Sequence, residues 1–311
     1  MQIIPGLKTF FGFFSVFAGD VRCLLKGQDD GAAILQTAHR IEKGLTIRNP
    51  RKLWGWNKVG RLVELIEREL GRPSPDLFAV QTGASVFKAY QLAKAESGDR
   101  EEAERAAKAL EQAPRTREFL QTLTVPGGAM SLHATDVVLP GAPEWTEKLF
   151  ATRHSVREFA NREISRDVLL RAVQMALLAP SACNRQPSKV YVLDAAKREQ
   201  LGYDNTYHAN KYLVIVGEIN AFTAVEYGDW IVGSSIFAAY LVLALHSLGI
   251  GSCIMKKDLH FSDGYNDFLR KACRIPRNEK IVLEIAVGYY PDRFLTAVSN
   301  RKNAADVVRF S

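Results

Sequence analysis

The first part of the chain, residues 31–128, carries apolar residues at helical spacing. Leu, Ile, Val and Ala recur every three or four positions in residues 32–45, 58–71 and 77–98, with polar residues between them. A highly charged stretch with the same period follows from Asp99. Amphipathic stretches of this kind, with almost no alternating or β-branched runs, predict a region built of successive helices.

The pattern changes after a linker that is rich in proline and glycine. Short runs of Val, Ile, Leu and Tyr begin at Lys189, Lys211 and Lys280, and helical stretches lie between them. Such near-continuous apolar runs predict strands that are buried on both faces. We therefore divide the chain into a helical N-terminal region, 1–140, and a second domain, 144–311.

A longer apolar stretch, Trp230–Gly249, lies between the last two of these strands. It is hydrophobic on nearly every side, so we expect a central or interface helix and not a surface helix. Gly249 is the expected cap at the end of this helix. Gly251 marks a position where we expect the backbone to approach another group closely.

The composition is that of an ordinary globular protein, since 47% of the 311 residues are hydrophobic and 24% are charged. The formal net charge of +7 comes from Lys and Arg residues that are scattered along the chain. A scattered excess indicates either affinity for anionic small molecules or no specific partner, and it argues against nucleic acid. The four cysteines show no CxxC spacing, which argues against a metal site and a disulfide framework and favours a cytoplasmic protein.

An apolar stretch near the N-terminus, Thr9–Ala18, resembles the hydrophobic part of a secretion signal. Only Lys8 precedes it, Gly12 interrupts it, and it is shorter than the ~20 apolar residues that span a bilayer. We expect a helix docked on the protein's own core. Peripheral membrane contact, through an interfacial helix at residues 10–17, is the alternative that the sequence leaves open.

A cluster early in the second domain is suited to binding an anion. It holds Arg153, Ser155 and Arg157, with His154 between the first two. Two guanidinium groups and a nearby hydroxyl can grip one phosphate or carboxylate. A solvated surface cluster is the alternative interpretation, and His154 needs no proton-transfer role in either case.

A second cluster is the segment 179–187, in which two prolines bracket small and amide side chains. A backbone held rigid by proline can present its N–H and C=O groups, together with Asn184 and Gln186, to a flat heteroaromatic ring. An ordinary turn is the other interpretation. Arg301 and Lys302 add a basic pair after the last strand, for which a charged tail is the alternative.

These segments, taken together and in this order, resemble the nitroreductase family of FMN-dependent oxidoreductases. The family pattern has RxSxR before a helix, then PSxxNxQP, then an apolar helix ending in a sequence like LGLG, and a basic pair after the last core strand. The matching residues lie within about 144–311 and are Arg153, Ser155, Arg157, Pro180, Ser181, Asn184, Gln186, Pro187, 248–251, Arg301 and Lys302.

The resemblance implies an α+β fold, a sandwich with a mostly antiparallel central sheet flanked by helices. It also implies a homodimer with FMN at the subunit interface. By resemblance, Arg153 and Ser155 hold the FMN phosphate with help from Arg301 and Lys302. Arg157 faces the pyrimidine end of the ring, where a cation stabilises the negative charge that accumulates on reduction.

The same resemblance implies which residues line the flavin ring. Ser181, Ala182 and Asn184 line the ring, with Asn184 supplying polar contacts, and the backbone near 254–256 approaches its N5 atom. Ser188 departs from the pattern, since many members have Trp or another aromatic residue there. The implied cofactor-binding set is Arg153, His154, Ser155, Arg157, Pro180, Ser181, Ala182, Asn184, Gly251, Arg301 and Lys302.

The helical region carries a resemblance of its own. The segment His39–Leu45 has the pattern HxIEKGL and is similar to a motif of longer nitroreductase-like proteins associated with polysaccharide biosynthesis. His39, Glu42 and Lys43 lie at helical spacing, which makes a polar cluster on one face of a helix. The cluster either supplies salt bridges that dock the helical region or forms a substrate-selecting lid over the flavin.

The resemblance implies an enzyme that takes hydride from NADH or NADPH and gives electrons to a second substrate in a ping-pong cycle. Nitroaromatics or quinones would serve as acceptors in vitro. A flavin-binding accessory protein of a surface-polysaccharide pathway, with little NAD(P)H turnover, is the alternative. A cofactor-free structural dimer is a third hypothesis, against which the retained arginines argue.

Overall fold

The computed structural model describes residues 14, 17–25, 27–47, 55–124, 126–203, 205, 207–255 and 264–310. The described helices are residues 17–24 (α1), Asp30–Leu45 (α2), Trp56–Leu70 (α3), Leu77–Glu96 (α4), Arg100–Glu111 (α5), Pro114–Gln121 (α6), Ala134–Val137 (α7), Ala142–Thr152 (α8), Arg166–Ala176 (α9), Ala195–Gln200 (α10), Asp229–Ser247 (α11), Gly264–Cys273 (α12) and Ala304–Val307 (α13). The described strands are Ser188–Asp194 (β1), Lys211–Glu218 (β2), Ile250–Met255 (β3) and Glu279–Tyr289 (β4).

Helices α2 to α6 form the predicted helical region and share a hydrophobic core. Asp29, Asp76 and Asp99 each precede a helix and accept a hydrogen bond from a backbone N–H of its first turn. The apolar faces of these helices pack together in one cluster made only of residues between 33 and 113. The prediction of successive helices before the sheet is confirmed.

The second domain is built on a four-stranded antiparallel sheet with the strand order β1-β2-β4-β3. The two central strands, β2 and β4, are buried along almost their whole length. The predicted α+β architecture with an antiparallel sheet is confirmed. The sequence pattern does not predict β3, because this strand is short and contains Gly251.

The prediction that every strand is buried on both faces is wrong for β1. This strand pairs only with β2 and therefore lies at the edge of the sheet. Leu193 is its one buried residue, and its other residues are half-buried or exposed. Long side chains at the edge, such as Lys189, reach polar partners instead of the core.

Helix α11 packs across the sheet, as expected for a central helix. Gly217 of β2 permits the contact, because a Cβ atom there would lie 2.8 Å from the Ser234 hydroxyl and 2.8 Å from the Trp230 carbonyl. Gly249, with φ of 76°, follows the end of the helix as predicted. Among the described residues, α11 is the one helix long and apolar enough to cross a membrane, and half of that apolar window is buried within the protein.

The helical region docks on the second domain through α1 and the start of α2. Asp20 is buried, forms an ion pair with Lys280 and accepts a hydrogen bond of 2.9 Å from the Tyr227 hydroxyl. The Asp29 N–H donates to the Asn220 carbonyl at 2.8 Å. Polar contacts therefore join α1 and the start of α2 to β4 and to the segment 220–227 of the second domain.

The predicted apolar helix at Thr9–Ala18 falls largely outside the described residues, which omit 1–13, 15 and 16. Phe14 and Phe17 are described and exposed. The Phe17 ring packs edge-on against Tyr227, with 5.5 Å between ring centroids. The described end of this stretch thus contacts the protein's own second domain.

Two segments, one before and one after the sheet, contain only exposed and half-buried residues. Neither 129–152 nor 291–310 contains a buried residue. Both carry large apolar side chains, and Trp145, Leu295 and Phe310 are 75%, 94% and 96% exposed. A single chain therefore leaves an extensive apolar surface uncovered.

Candidate functional site

The RxSxR motif forms an extended segment beside strand β3. The Val156 N–H donates a hydrogen bond to the Ser252 carbonyl at 3.0 Å, and Ser155 and Ser252 form a parallel bridge. In an extended backbone, alternate side chains point to the same side. Val156 is buried, so Arg153, Ser155 and Arg157 share the opposite side.

Two glycines let this segment lie close to the sheet. A Cβ atom at Gly288 of β4 would lie 2.6 Å from the Cβ of Phe159. A Cβ atom at Gly251 of β3 would lie 3.1 Å from Val156 Cγ2. The close approach expected at Gly251 is therefore confirmed, and the group that approaches it is Val156, on the side away from the arginines.

The arginine side of the segment opens into a pocket of about 240 Å³. Arg301 reaches this pocket from the C-terminal segment, whereas Lys302 does not line it. Thr296 holds the two segments together, since its hydroxyl donates to the Ser155 carbonyl at 3.3 Å. The lining residues are Phe150, Ala151, Arg153, His154, Ser155, Arg157, Thr296, Ala297, Val298, Ser299 and Arg301.

The pocket is electropositive. Three arginines and no carboxylate line it. Within the described part of the chain, no carboxylate forms an ion pair with Arg153 or Arg157. Guanidinium groups that share a pocket wall without an acidic partner are suited to a multiply charged anion such as phosphate.

His246, at the end of α11, connects the pocket to the sheet. Its Nε2 lies 2.9 Å from the Thr152 hydroxyl and its Nδ1 lies 2.8 Å from the Tyr290 hydroxyl. Burial, together with the charges of Arg153 and His154, lowers the pKa of His246. The neutral imidazole is therefore favoured, and its contact with Thr152 anchors the residue that precedes Arg153. Sequence reasoning missed His246 because only the fold brings it to Thr152.

The segment 179–187, which we call the amide loop, forms a separate surface. None of its residues lines the arginine pocket. The Ser181 hydroxyl accepts a hydrogen bond of 3.0 Å from the Gln186 N–H, which closes the loop. Cys183 and Asn184 both have φ of 51°, in the left-handed region. Within one chain, the structure does not bring the amide loop to the arginines.

Arg185 is a residue of the amide loop that sequence reasoning missed. Its side chain is fully buried and pairs with Glu226 at 2.8 Å. The hydrogen bonds from Arg185 lower the pKa of Glu226 to about 2. An arginine in a polar loop is usually exposed, so the sequence gives no signal for this buried pair.

The polar cluster of the HxIEKGL motif lies on α2. His39 Nδ1 is 3.4 Å from Glu42 Oε2, and Lys43 is exposed. Among the described residues, none of the three forms an ion pair with the second domain. Gln36, one turn earlier, contacts the second domain instead, by donating a hydrogen bond to Glu226 at 3.4 Å. Helix α2 packs against the amide loop at this point.

The remaining site prediction concerns the end of β3, and one cysteine lies in the amide loop and another in β3. The backbone stretch 254–256 is described only to Met255, so Lys256 lies outside the described residues. Cys183 and Cys253 are free thiols. Burial raises the pKa of Cys253 in spite of the nearby positive charge of Arg157, which favours the unreactive thiol form.

Comparison with known proteins relates the second domain to one family. The model of the Nitroreductase family matches residues 150–213 and 203–289 of this chain. The match includes the RxSxR segment, the amide loop and strands β1 to β4, and it begins after helices α1 to α7. This part of the chain is therefore nitroreductase-like in sequence and in fold.

Individual relatives cover about half of the chain. A putative NADH dehydrogenase/NAD(P)H nitroreductase of Archaeoglobus fulgidus is 26% identical over 151 residues, which is 47% of this chain and 85% of that protein. An iodotyrosine deiodinase of Haliscomenobacter hydrossis is 26% identical over 192 residues, 50% of this chain and 84% of that protein. A solved nitroreductase with bound FMN from Desulfitobacterium hafniense is 22% identical, with a TM-score of 0.43 over 53% of this chain and 97% of that one.

Proposed function

We propose that this chain, in which a nitroreductase-family domain occupies residues 150–289, binds FMN and acts as an NAD(P)H-dependent oxidoreductase. The observation that carries the proposal is the convergence of Arg153, Ser155, Arg157 and Arg301 on one pocket. These residues come from two segments about 145 positions apart in the sequence, so only the folded chain assembles them. The relative from Archaeoglobus fulgidus is named as a putative NADH dehydrogenase/NAD(P)H nitroreductase.

The residues of the pocket fit the phosphate of FMN. Arg153 and Arg301 supply charged donors, and Ser155 adds a hydroxyl. No carboxylate lines the pocket to oppose a dianion. We assign these three residues to the phosphate and leave out Lys302, whose side chain is exposed and does not line the pocket.

Arg157 is assigned to the flavin ring. It lies on the same side of the extended segment as Arg153 and is four positions further along. A fixed cation there would stabilise negative charge on the pyrimidine side of the ring. The chemistry that FMN supplies when bound is the transfer of two electrons from NAD(P)H to an oxidised acceptor, for which nitroaromatics or quinones serve in vitro.

A second copy of the chain would complete the site. The amide loop and the arginine pocket are separate surfaces of one chain, yet both are assigned to one FMN. The exposed apolar side chains of 129–152 and 291–310, with the exposed face of α11 at Val232 and Tyr240, offer a large surface for self-association. We therefore propose a homodimer in which the amide loop of one subunit meets the pocket of the other.

The test is the visible absorption spectrum of the purified protein under anaerobic conditions, alone and then with NADH or NADPH. We expect flavin bands that bleach with at least one of the two nucleotides. Bands that persist with both would refute NAD(P)H as the reductant and favour the flavin-binding accessory protein. Absence of flavin after FMN is added would refute the cofactor assignment itself.

Two variants assign the binding to the pocket. Arg153→Ala should lose FMN under conditions where the unaltered protein retains it. Arg162→Ala is the control, because the Arg162 guanidinium lies 4.0 Å from the centroid of the Tyr289 ring and outside the pocket. Equal FMN content in both variants would contradict the assignment of Arg153.

A further inference from the structure

Arg185 is a buried residue of the amide loop that bonds both the loop and a neighbouring segment. Its side chain is buried, and its Nε donates to the Ala182 carbonyl at 3.0 Å. Its Nη1 donates to the Ala221 carbonyl at 3.1 Å, and the guanidinium lies 4.3 Å from the centroid of the Phe222 ring. One side chain thus fixes the position of the loop relative to the segment that follows β2.

Glu226 holds the Arg185 guanidinium from the other side. Its two carboxylate oxygens accept hydrogen bonds from Arg185 at 2.8 and 3.0 Å. The Thr223 N–H and hydroxyl also donate to Glu226, at 3.1 and 2.8 Å. With so many donors the carboxylate stays ionised, so the fork-to-fork pair is rigid as well as charged.

The loop that Arg185 closes has a backbone that needs support. Cys183 and Asn184 have φ of 51°, and Gln186 has φ of 47°. Residues other than glycine adopt this left-handed backbone conformation at an energetic cost. Such conformations persist where surrounding contacts hold them. Arg185 lies between these residues and bonds the carbonyl of Ala182, where the turn begins.

Helix α2 reaches the same group of contacts. Gln36, which is buried in the helix, donates through Nε2 to Glu226 at 3.4 Å. Gln28, just before the helix, donates to the Ala221 carbonyl at 3.0 Å, the same oxygen that accepts from Arg185. The helical region therefore contacts the same two groups that bind Arg185, the Glu226 carboxylate and the Ala221 carbonyl.

We propose that Arg185 is a positioning residue for the flavin site and that the helical region acts on the flavin through it. Arg185 holds Ala182 and Asn184 in the conformation that meets the flavin ring, and Gln36 and Gln28 hold the partners of Arg185. The inference rests on the proposed FMN-binding function. It gives the helical region a role in flavin affinity and reduction potential.

The first experiment compares two buried arginines. Arg185→Gln removes the charge and the paired N–H donors of the guanidinium but keeps a polar side chain. Arg198→Gln is the matched control, because Arg198 is also buried, pairs with Glu284 at 2.8 Å and lies 4.1 Å from the centroid of the Tyr212 ring. Both variants lose the ion pair of a buried arginine, whereas only Arg185 contacts the amide loop.

We expect Arg185→Gln to weaken FMN binding about tenfold, measured by quenching of FMN fluorescence, because binding must then order a loop that Arg185 no longer holds. Arg198→Gln should stay within about twofold of the unaltered protein. The reduction potential of bound FMN should also shift in Arg185→Gln only. Arg185→Lys keeps the charge but lacks the paired N–H donors, so it should retain part of the affinity. Equal FMN affinity and potential in the two glutamine variants would overturn the positioning role.

Hydrogen exchange separates this inference from the proposed function. Before FMN is added, the backbone of residues 181–187 should exchange faster in Arg185→Gln than in Arg198→Gln. If the unaltered protein fails to bind FMN, the proposed function fails and this inference fails with it. If the unaltered protein binds FMN and the loop exchanges equally in both variants, only the role of Arg185 is refuted.

The contribution of α2 is tested by Gln36→Ala. This change should weaken FMN binding about threefold in the unaltered protein, the effect of one weak hydrogen bond. In the Arg185→Gln background it should have no further effect, because the contact that it supports is already lost. Independent, multiplicative effects of the two changes would show that α2 does not act through Arg185.

Discussion

The side chain of Phe159 covers Gly288 so closely that no β-carbon fits at position 288. An added Cβ would lie 2.6 Å from the Cβ and 2.7 Å from the Cγ of Phe159. Two residues before Phe159 comes Arg157, so this contact fixes how the arginine segment lies on the sheet. The geometry of the pocket therefore depends on the absence of a side chain in β4.

Gly288→Ala should displace Phe159 and the segment that carries the arginines. Overpacking of this kind in a filled core typically costs about 1–3 kcal/mol of stability, and we expect that loss in urea unfolding together with weaker FMN binding. Gly60→Ala in α3 is the control, because a Cβ at Gly60 would have no atom within 4 Å. Unchanged stability of Gly288→Ala relative to the unaltered protein would contradict the close packing at Gly288.

Arg301 and Lys302 are neighbours in sequence that the structure places differently. Arg301→Ala should weaken FMN binding about tenfold, because it removes one charged donor from the phosphate. Lys302→Ala should change the affinity by less than about twofold, since Lys302 does not line the pocket. Titration of each variant with FMN measures both values, and a larger effect at Lys302 would reverse the assignment.

The Arg185–Glu226 pair should make stability dependent on pH in the acid range. The hydrogen bonds from Arg185 lower the pKa of Glu226 to about 2, from an ordinary value of 4.5. The pair therefore stabilises the folded state fully above about pH 5, and this stabilisation is lost as the pH falls towards 2. Thermal unfolding of Glu226→Gln should begin at a lower temperature than that of the unaltered protein at pH 6, and the difference should shrink by pH 3.

The control for this pH dependence is Glu163→Gln. Glu163 is largely exposed and pairs with Lys211 at 3.1 Å, a contact that contributes little in solvent. Its unfolding temperature should follow that of the unaltered protein at every pH. If Glu226→Gln behaves in the same way, the Arg185–Glu226 pair does not contribute to acid stability.

Self-association should depend on the exposed face of α11. Ala239→Arg places a charge on that face, where a single chain accommodates it because Ala239 is exposed. We expect a dimer for the unaltered protein and a monomer for the variant in light scattering, with weaker FMN binding in the monomer. Ala107→Arg, on the exposed side of α5, should leave the dimer intact. If the Ala239→Arg protein is still a dimer, α11 does not form the interface.

Much of the fold could be predicted from local patterns. The helices of residues 30–111 and the central strands β2 and β4 have long, regular apolar patterns, because their buried faces are continuous. Strand β3 lacks such a pattern, since Gly249 and Gly251 interrupt it and its burial comes from contact with residues far away in sequence. Strand β1 has the apolar residues of a central strand but lies at an edge, because strand order is a property of the whole sheet.

The candidate site divides in the same way. The motif Arg153–Arg157 and the distant Arg301 were predicted together by resemblance, and the structure brings them into one pocket. His246 and Arg185 were missed, since each acts through a tertiary partner that the sequence does not identify. Burial of a charged side chain depends on what the fold places around it, and Glu226 is 41 residues away from Arg185.

The strand order has a consequence for how the protein is made. The helices of residues 33–113 complete their own core, so they can fold while the rest of the chain is still being synthesised. The sheet cannot close so early, because its last strand, β4, lies between β2 and β3. Until residue 289 has left the ribosome, β2 and β3 each present an unpaired apolar edge. Unpaired strand edges can pair with another chain, so the nascent second domain is more prone to aggregation than the finished sheet.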